Sequence, residues 1–275
     1  MTEQNELRLN SGALMPQLGL GVWQVANGEA ADVVRTAIKA GYRSIDTAAM
    51  YNNEEGVGEG IRGSGIAREQ IFVATKIWHE QQGTDSAMKA FENSRTRLGL
   101  DYVDLYMIHW PAPKQNTFVE TWRAMARLKQ YNRVKTIGVC NFKIEHLRRL
   151  MDETGIVPSV NQVELHPRFQ QNALRDFHAK HGIATEAWAP LGRGLVLDDP
   201  VIATLAKKHR RTPAQIVLRW HIENSVIAIP KSVNPKRIAE NIDVFGFELG
   251  DDDMAAIARI DNAKGRIGPD PDAFP

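Results

Sequence analysis

YRSID (42–46), IFVATK (71–76) and VDLYMIH (103–109) are the runs whose reading decides the fold. Each is short and mostly apolar, and each closes on a polar residue: Asp46, Lys76 and His109. Tyr51 follows the first run after one short loop. Apolar runs of this length belong to strands covered on both faces by helices. In a barrel of parallel strands the carboxyl ends converge on one mouth, where catalytic residues collect. The pattern therefore predicts that Asp46, Tyr51, Lys76 and His109 share a mouth.

Working outward, LGLGVW (18–23), TIGVCN (136–141), VNQVEL (160–165), IATEAW (183–188) and VIAIP (226–230) bring the count of strand runs to eight. Helical spacing fills the gaps. Residues 29–40 place Val33, Val34, Ala37 and Ile38 near one face, and Gly41 is set to stop that helix. Further helical segments lie near 54–62, 84–98, 117–130, 143–153, 171–181, 199–209, 213–222 and 235–241. Eight such units predict an α/β fold, a closed (β/α)8 TIM barrel. A doubly wound open sheet is the alternative. Such sheets often carry GxGxxG after the first strand, whereas Gly19 and Gly21 are followed by VWQVAN and lack the third glycine. LRLN and ALMPQL around Ser11-Gly12 predict an N-terminal β-hairpin. DDDMAAIARI (251–260) predicts a C-terminal extra helix with an acidic first turn. The tail NAKGRIGPDPDAFP is polar and rich in Pro and Gly, and reads either as a frayed end or as a segment across the barrel mouth.

The 275 residues, 43% hydrophobic, suit one such barrel, and no Pro/Gly/Ser-rich linker divides 1–275 into parts. Thirty-four basic and 33 acidic residues leave a formal net charge of +1, which points to no nucleic-acid partner and no bulk membrane partner. Cys140 is the single cysteine, so an intramolecular disulfide is excluded, as suits a reducing compartment. The start, MTEQNELRLN, has no apolar signal core, and no apolar run approaches the roughly 20 residues of a membrane span. The expectation is a cytoplasmic protein.

A tyrosine ordinarily loses its proton near pH 10. An ammonium such as Lys76 nearby favours the phenolate and lowers that value, while Asp46 keeps the lysine charged and oriented. His109 offers a neutral imidazole to orient a carbonyl or join a proton relay. The set suits proton donation to an oxygen that becomes negative, such as a carbonyl oxygen whose carbon receives hydride. Singly, each residue has a plainer reading: a structural ion pair, a packing tyrosine, a histidine satisfying backbone. No metal site is predicted. HExxH is missing, there is no cysteine pair, and His178 and His181, flanked by Asp176 and Lys180, read as a solvated helix face. Nucleophilic serine chemistry lacks GxSxG. Cys140 lies in an apolar run and reads as a small buried hydrophobe.

PKSVNPKRIAEN (230–241) suggests an anion site. Lys231 and Ser232 follow the eighth strand run, and Lys236 and Arg237 open the next helix. Helix-start N–H groups beside basic side chains bind phosphate, and late barrel loops are the usual place for it. Glu240 and Asn241 are near enough to reach an attached ring, although a solvated basic helix end is the plainer reading. Asn141 and Gln162 each donate and accept, as suits a primary amide. Trp188 ends the seventh run, where its face can stack on a flat ring. Trp23 and Trp110 can wall the remaining pocket, and the glycines of PLGRGL (190–195) permit close backbone approach.

GYRSIDTAAMYNNEEGVGEGI, LYMIHWP, GVCNF, NQVELHP and IPKSVNPKRIAEN, in this order and spanning nearly the whole chain, resemble the motifs of the aldo-keto reductases. IDTAAMYNNEEGVG, RWH and GPDPDAF carry a closer likeness to bacterial 2,5-diketo-D-gluconate reductases of the enterobacterial A type. The resemblance implies a (β/α)8 barrel that reduces small polar aldehydes or ketones with NADPH, giving NADP+ and the alcohol. Candidate substrates are 2,5-diketo-D-gluconate, yielding 2-keto-L-gulonate as in ascorbate biosynthesis, together with methylglyoxal and β-keto esters. It assigns Tyr51 as general acid, Lys76 and Asp46 as the residues tuning it, and His109 as the substrate-orienting residue. Asn141, Gln162 and Cys140 fall at the nicotinamide carboxamide and Trp188 on the nicotinamide ring. Lys231, Ser232, Val233 and Arg237 fall around the 2′-phosphate and pyrophosphate, with Glu240 and Asn241 near the adenine. Gly21, Val22, Trp23, Asp46, Pro190, Leu191 and Gly192 complete the implied cofactor contacts. Trp23, Tyr51, Trp78, His109 and Trp110 line the implied substrate pocket, and the implied assembly is a monomer. Many members carry serine where this chain has Cys140, and a thiol is the weaker donor. Two other functions stay open: a noncatalytic NADPH-binding barrel, and a phosphosugar isomerase or aldolase with Lys76 as Schiff base.

Overall fold

The computed structural model describes residues 5–274. Met1–Gln4, in the polar start read above, and Pro275, the last residue of the tail, lie outside the described residues. The chain opens with a hairpin, β1 (Glu6–Arg8) antiparallel to β2 (Leu14–Pro16), turning through Ser11-Gly12. Strands and helices then alternate: β3 (Leu20–Gly21), α1 (Asn27–Ala40), β4 (Ser44–Asp46), α2 (Glu54–Arg62), β5 (Phe72–Ile77), α3 (Thr84–Leu98), β6 (Val103–Ile108), α4 (Phe118–Gln130), β7 (Val134–Cys140), α5 (Ile144–Thr154), β8 (Val160–Glu164), α6 (Asn172–His181) and β9 (Ala184–Trp188). Two helices, α7 (Pro200–His209) and α8 (Pro213–Glu223), precede β10 (Ile227–Ala228), and α9 (Pro235–Ile242) and α10 (Asp251–Ala258) end the series.

Strands β3 to β10 form one parallel sheet in strict sequence order. Parallel bridges Leu18–Ala228 and Gly21–Lys231 join its first and last strands. A doubly wound sheet would reverse order at its centre and keep two open edges. This one does neither, so the barrel expectation holds and the open-sheet alternative falls. Gly21 permits the closure, because a Cβ there would stand 2.8 Å from the Ile229 carbonyl oxygen.

Side-chain direction alternates along each strand, and this sorts the core. Outward residues such as Val73, Tyr106, Ile137 and Val163 pack with the helices in one large cluster. A second, smaller cluster holds Phe72, Ala74, Leu105, Met107, Cys140, Val160 and Ile227 with Leu9 and Met15 from the hairpin. That cluster is the barrel interior, and the hairpin plugs its lower end. Two residues beyond Ala74 comes Lys76, and two beyond Met107 comes His109. The periodicity that fills the interior therefore also delivers the polar residues to its upper end.

The late helices start alike. Asp199, Thr212 and Asn234 cap α7, α8 and α9 with side-chain acceptors, each followed by proline at the first helical position. His178 corrects one expectation. It is fully buried on the inner face of α6, with Nε2 2.9 Å from Asn161 Nδ2 and Nδ1 2.9 Å from Thr185 Oγ1, so charged neighbours in sequence did not mark a solvated face. The tail also takes a definite course. Ile267 N–H and Gly268 N–H donate to the two oxygens of Glu164 at 2.6 and 2.8 Å, and Lys143 reaches both Asp270 and Asp272 at 2.6 Å. Of its two readings, the tail lies across the mouth.

Candidate active site

Asp46 ends β4, and Lys76 stands one residue before the end of β5. Both are buried, with Lys76 Nζ 2.6 Å from Asp46 Oδ1 and 2.9 Å from the carbonyl oxygen of Thr47. The pair is thus an ion pair in which the ammonium has a further acceptor. Burial disfavours the charged lysine, but Asp46 and its other neighbours more than offset this and raise its pKa above the ordinary value. A short 3-10 turn, Ala49–Tyr51, folds back from the end of β4 and sets the Tyr51 ring 5.1 Å from Lys76 Nζ. The ring keeps some surface open to the pocket, and the His109 ring meets it edge-on at 5.6 Å. All four residues predicted to share a mouth do so.

Desolvation pushes the Tyr51 phenol up to about 12, against the downward pull of Lys76. The expected pull from Lys76 is present, but the net shift is upward because burial outweighs it. A phenol in this state holds its proton until a stronger acceptor is beside it. His109 is shifted the other way. Burial, with the charge of Lys76, holds its imidazole well below the usual range, so it is neutral at pH 7. Its Nδ1 is buried and has no partner among the described residues.

Around this cluster the predicted pocket residues fall on successive strand ends. Asn141, at a left-handed φ of 62°, donates to the His109 carbonyl oxygen at 3.0 Å and accepts from Trp188 Nε1 at 2.8 Å. Gln162 Nε2 donates to Asp46 Oδ2 at 3.0 Å and to Glu186 Oε2 at 2.9 Å. The Cys140 thiol points down the barrel to the Met107 thioether, 3.6 Å away, and burial raises its pKa well above normal. Gly21 and Val22 are buried beside the eighth strand end and Asp46, with Val22 N–H on the Asp46 carbonyl oxygen at 3.1 Å. Trp23 is exposed at the rim under the Arg193 guanidinium, 5.0 Å from the ring centre. Pro190 accepts from His221 at 3.0 Å, Leu191 packs on the outer core, and Gly192 opens the turn that carries Arg193.

Lys231, Val233, Lys236 and Arg237 are exposed after β10, and the three cations have no ion-pair partner among the described residues. Ser232 is buried, with its Oγ accepting from Asn234 N–H at 3.1 Å. Asn241 is buried on α9, and Glu240 Oε1 accepts from Thr212 at 2.8 Å, so part of that carboxylate is already engaged. Lys231, Lys236 and Arg237 flank the start of α9, where the Lys236 and Arg237 N–H groups already donate to Asn234 Oδ1 at 2.9 and 3.3 Å.

Sequence reading missed three participants. Phe274 stacks on Trp110 at 4.2 Å and 5° and meets Trp78 edge-on at 5.7 Å, so the tail supplies a wall of the pocket. Glu164 ties the tail down. Glu186 sits under Gln162. A charged residue two places from Gln162 or Trp188 within an apolar run was the available signal, since alternation puts it on the same inward face.

Comparison with known proteins agrees with this geometry. The Aldo/keto reductase family profile matches residues 17–262. The chain belongs to the aldo/keto reductase family. An aldo-keto reductase of Mycolicibacterium smegmatis is 54% identical, covering 98% of this chain and 97% of its own. The methylglyoxal reductase DkgA of Yersinia pestis is 51% identical over 100% of this chain and 99% of its own. Among solved structures, Gox0644 without ligand superposes with a TM-score of 0.95 at 56% identity, covering 98% of each chain. A variant of Gox0644 has also been solved in complex with NADPH.

Proposed function

We propose that this aldo/keto reductase uses NADPH to reduce small, polar aldehydes and ketones, with methylglyoxal and 2,5-diketo-D-gluconate as the leading substrates. The observation that carries the reading is the Tyr51 ring held between a buried Lys76–Asp46 ion pair and the His109 ring. The relatives named for methylglyoxal and the NADPH complex of Gox0644 support the substrate class and the cofactor. The unpaired Lys231, Lys236 and Arg237 fit the three phosphates of NADPH, and Asn141 and Gln162 fit its carboxamide. Trp188 offers the stacking face.

Bound NADPH supplies hydride to the carbonyl carbon. Tyr51 gives its phenolic proton to the carbonyl oxygen as that oxygen gains charge. Lys76, oriented by Asp46 and the Thr47 carbonyl, stabilises the phenolate left behind. His109 orients the carbonyl as a neutral hydrogen-bonding group. The Schiff-base alternative is disfavoured, because such a lysine must be neutral and Lys76 is held charged. A noncatalytic barrel would not require a proton donor poised in this way.

His109, Trp78, Trp110 and Phe274 pack ring against ring beside Tyr51, and this crowding is the reason for reading the substrate as small. The test is a panel of methylglyoxal, 2,5-diketo-D-gluconate and a steroid ketone, ranked by kcat/KM with NADPH. The small polar compounds are expected to lead, and a leading steroid would overturn the substrate reading. The same reading takes the chain as a single barrel domain that works as a cytoplasmic monomer. No described helix is long and apolar enough to cross a membrane. A sedimentation mass near twice 30.8 kDa would overturn the monomer.

A further inference from the structure

Glu186 is fully buried in the middle of β9, paired in register with Gln162 of β8. It faces inward with Trp188, two residues on. Glu186 Oε2 accepts from Gln162 Nε2 at 2.9 Å, while Oε1 has no partner among the described residues. The same Gln162 nitrogen donates to Asp46 Oδ2 at 3.0 Å.

A primary amide has two N–H donors on its nitrogen and an acceptor oxygen opposite. Asp46, ion-paired to Lys76, presents only acceptors. A reversed Gln162 would put oxygen against that carboxylate, so the nitrogen must face Asp46. The nitrogen then spends its second N–H on Glu186, and the oxygen is all that Gln162 has left to offer. Burial and the nearby Asp46 push the Glu186 pKa up to about 8, so at pH 7 this acid is neutral and adds no second charge beside Asp46. Its unpartnered Oε1 is free to carry the proton.

We propose that Glu186 is a positioning residue: with Asp46 it occupies both N–H groups of Gln162, so that Gln162 meets the cofactor carboxamide as an acceptor only. This rests on the NADPH reading above. An acceptor selects the amide N–H2 of nicotinamide, and so fixes which way the carboxamide lies.

The 3-acetylpyridine analogue of NADP+ tests this, because its acetyl group has no N–H to give. Dissociation constants for NADP+ and the analogue are read by quenching of indole fluorescence at pH 7. The parent is expected to favour NADP+. Glu186→Met frees one N–H of Gln162 to serve the acetyl oxygen, and the preference should fall by about two- to tenfold, the worth of one hydrogen bond. Glu186→Gln presents an amide oxygen to the same N–H and should keep the parent preference. A preference unchanged in Glu186→Met, or lost equally in Glu186→Gln, overturns the proposal. Glu186→Leu repeats the measurement if the methionine variant does not fold. A parent that binds neither nucleotide would instead overturn the NADPH reading.

Discussion

Lys76 and Asp46 meet at 2.6 Å with almost no surface open to water, so the charge on Lys76 is fixed and its one outward task is to face the Tyr51 ring. From this, Tyr51→Phe is expected to remove the proton donor and leave the pocket shape intact. Reduction should fall about 10²–10⁴-fold, as for other general acids, with NADPH affinity kept within about twofold. A variant retaining half of the parent kcat on methylglyoxal would remove Tyr51 from the role. Arg237 is exposed beside the first turn of α9. Its guanidinium, without an ion pair among the described residues, is free to take the 2′-phosphate bidentately. Arg237→Ala should weaken NADPH by a factor corresponding to about 1.5–3 kcal/mol and leave NADH nearly unchanged. Equal weakening of both in direct titration would show that Arg237 does not read that phosphate.

Among the elements, the tail is the one whose position sequence left undecided. Its composition is that of a loop, and loops declare their course only through partners elsewhere in the chain. Here those partners are Glu164 on β8, Lys143 before α5 and Trp110 after β6, all distant in sequence. Gly268 is where the tail presses on the Trp188 indole. A Cβ there would stand 2.5 Å from Cη2 of Trp188 and 2.9 Å from Glu164 Oε2. Gly268→Ala should therefore displace the indole, break its hydrogen bond to Asn141 and weaken NADPH several-fold, of the order expected for one or two lost hydrogen bonds. Trp188 fluorescence and an NADPH titration read this together, and unchanged affinity would uncouple tail from cofactor. The strands and helices were legible for the opposite reason. Runs such as IFVATK and VDLYMIH carry their own burial pattern, and proline after a capping residue marks a helix start locally. Glu186 and Glu164 were passed over because a lone acid in an apolar run carries no partner's name. Cys140 shows the related limit: the run containing it was clear, but only the packed barrel points its thiol at Met107.

For the whole molecule, the buried histidines set how stability responds to acid. His178 joins α6 to β8 and β9 as a neutral ring, and His221 joins α8 to the Pro190 carbonyl. Burial, with a smaller push from Arg175, holds His178 down at about 3, and burial likewise holds His221 at about 3. In the unfolded chain both would titrate near 6.5. Between those values the unfolded chain binds protons that the folded chain refuses, so stability drops as pH falls below about 6.5 and goes on dropping towards 3. At pH 5 the loss is about 2 kcal/mol for each histidine, from a gap of about 1.5 pH units. Glu186 acts with the opposite sign, since the folded chain takes up its proton near 8, well before the unfolded chain does. The parent curve is therefore a sum, and a difference is needed to isolate one residue. His178→Gln removes one titrating ring and keeps polar groups for Asn161 and Thr185. Its urea-unfolding free energy should be lower than the parent's at pH 7, and should then fall by about 2 kcal/mol less than the parent's between pH 7 and pH 5. Parallel declines in parent and variant would mean that His178 takes up its proton without unfolding, and that the packing of α6 against the barrel is looser than these contacts require.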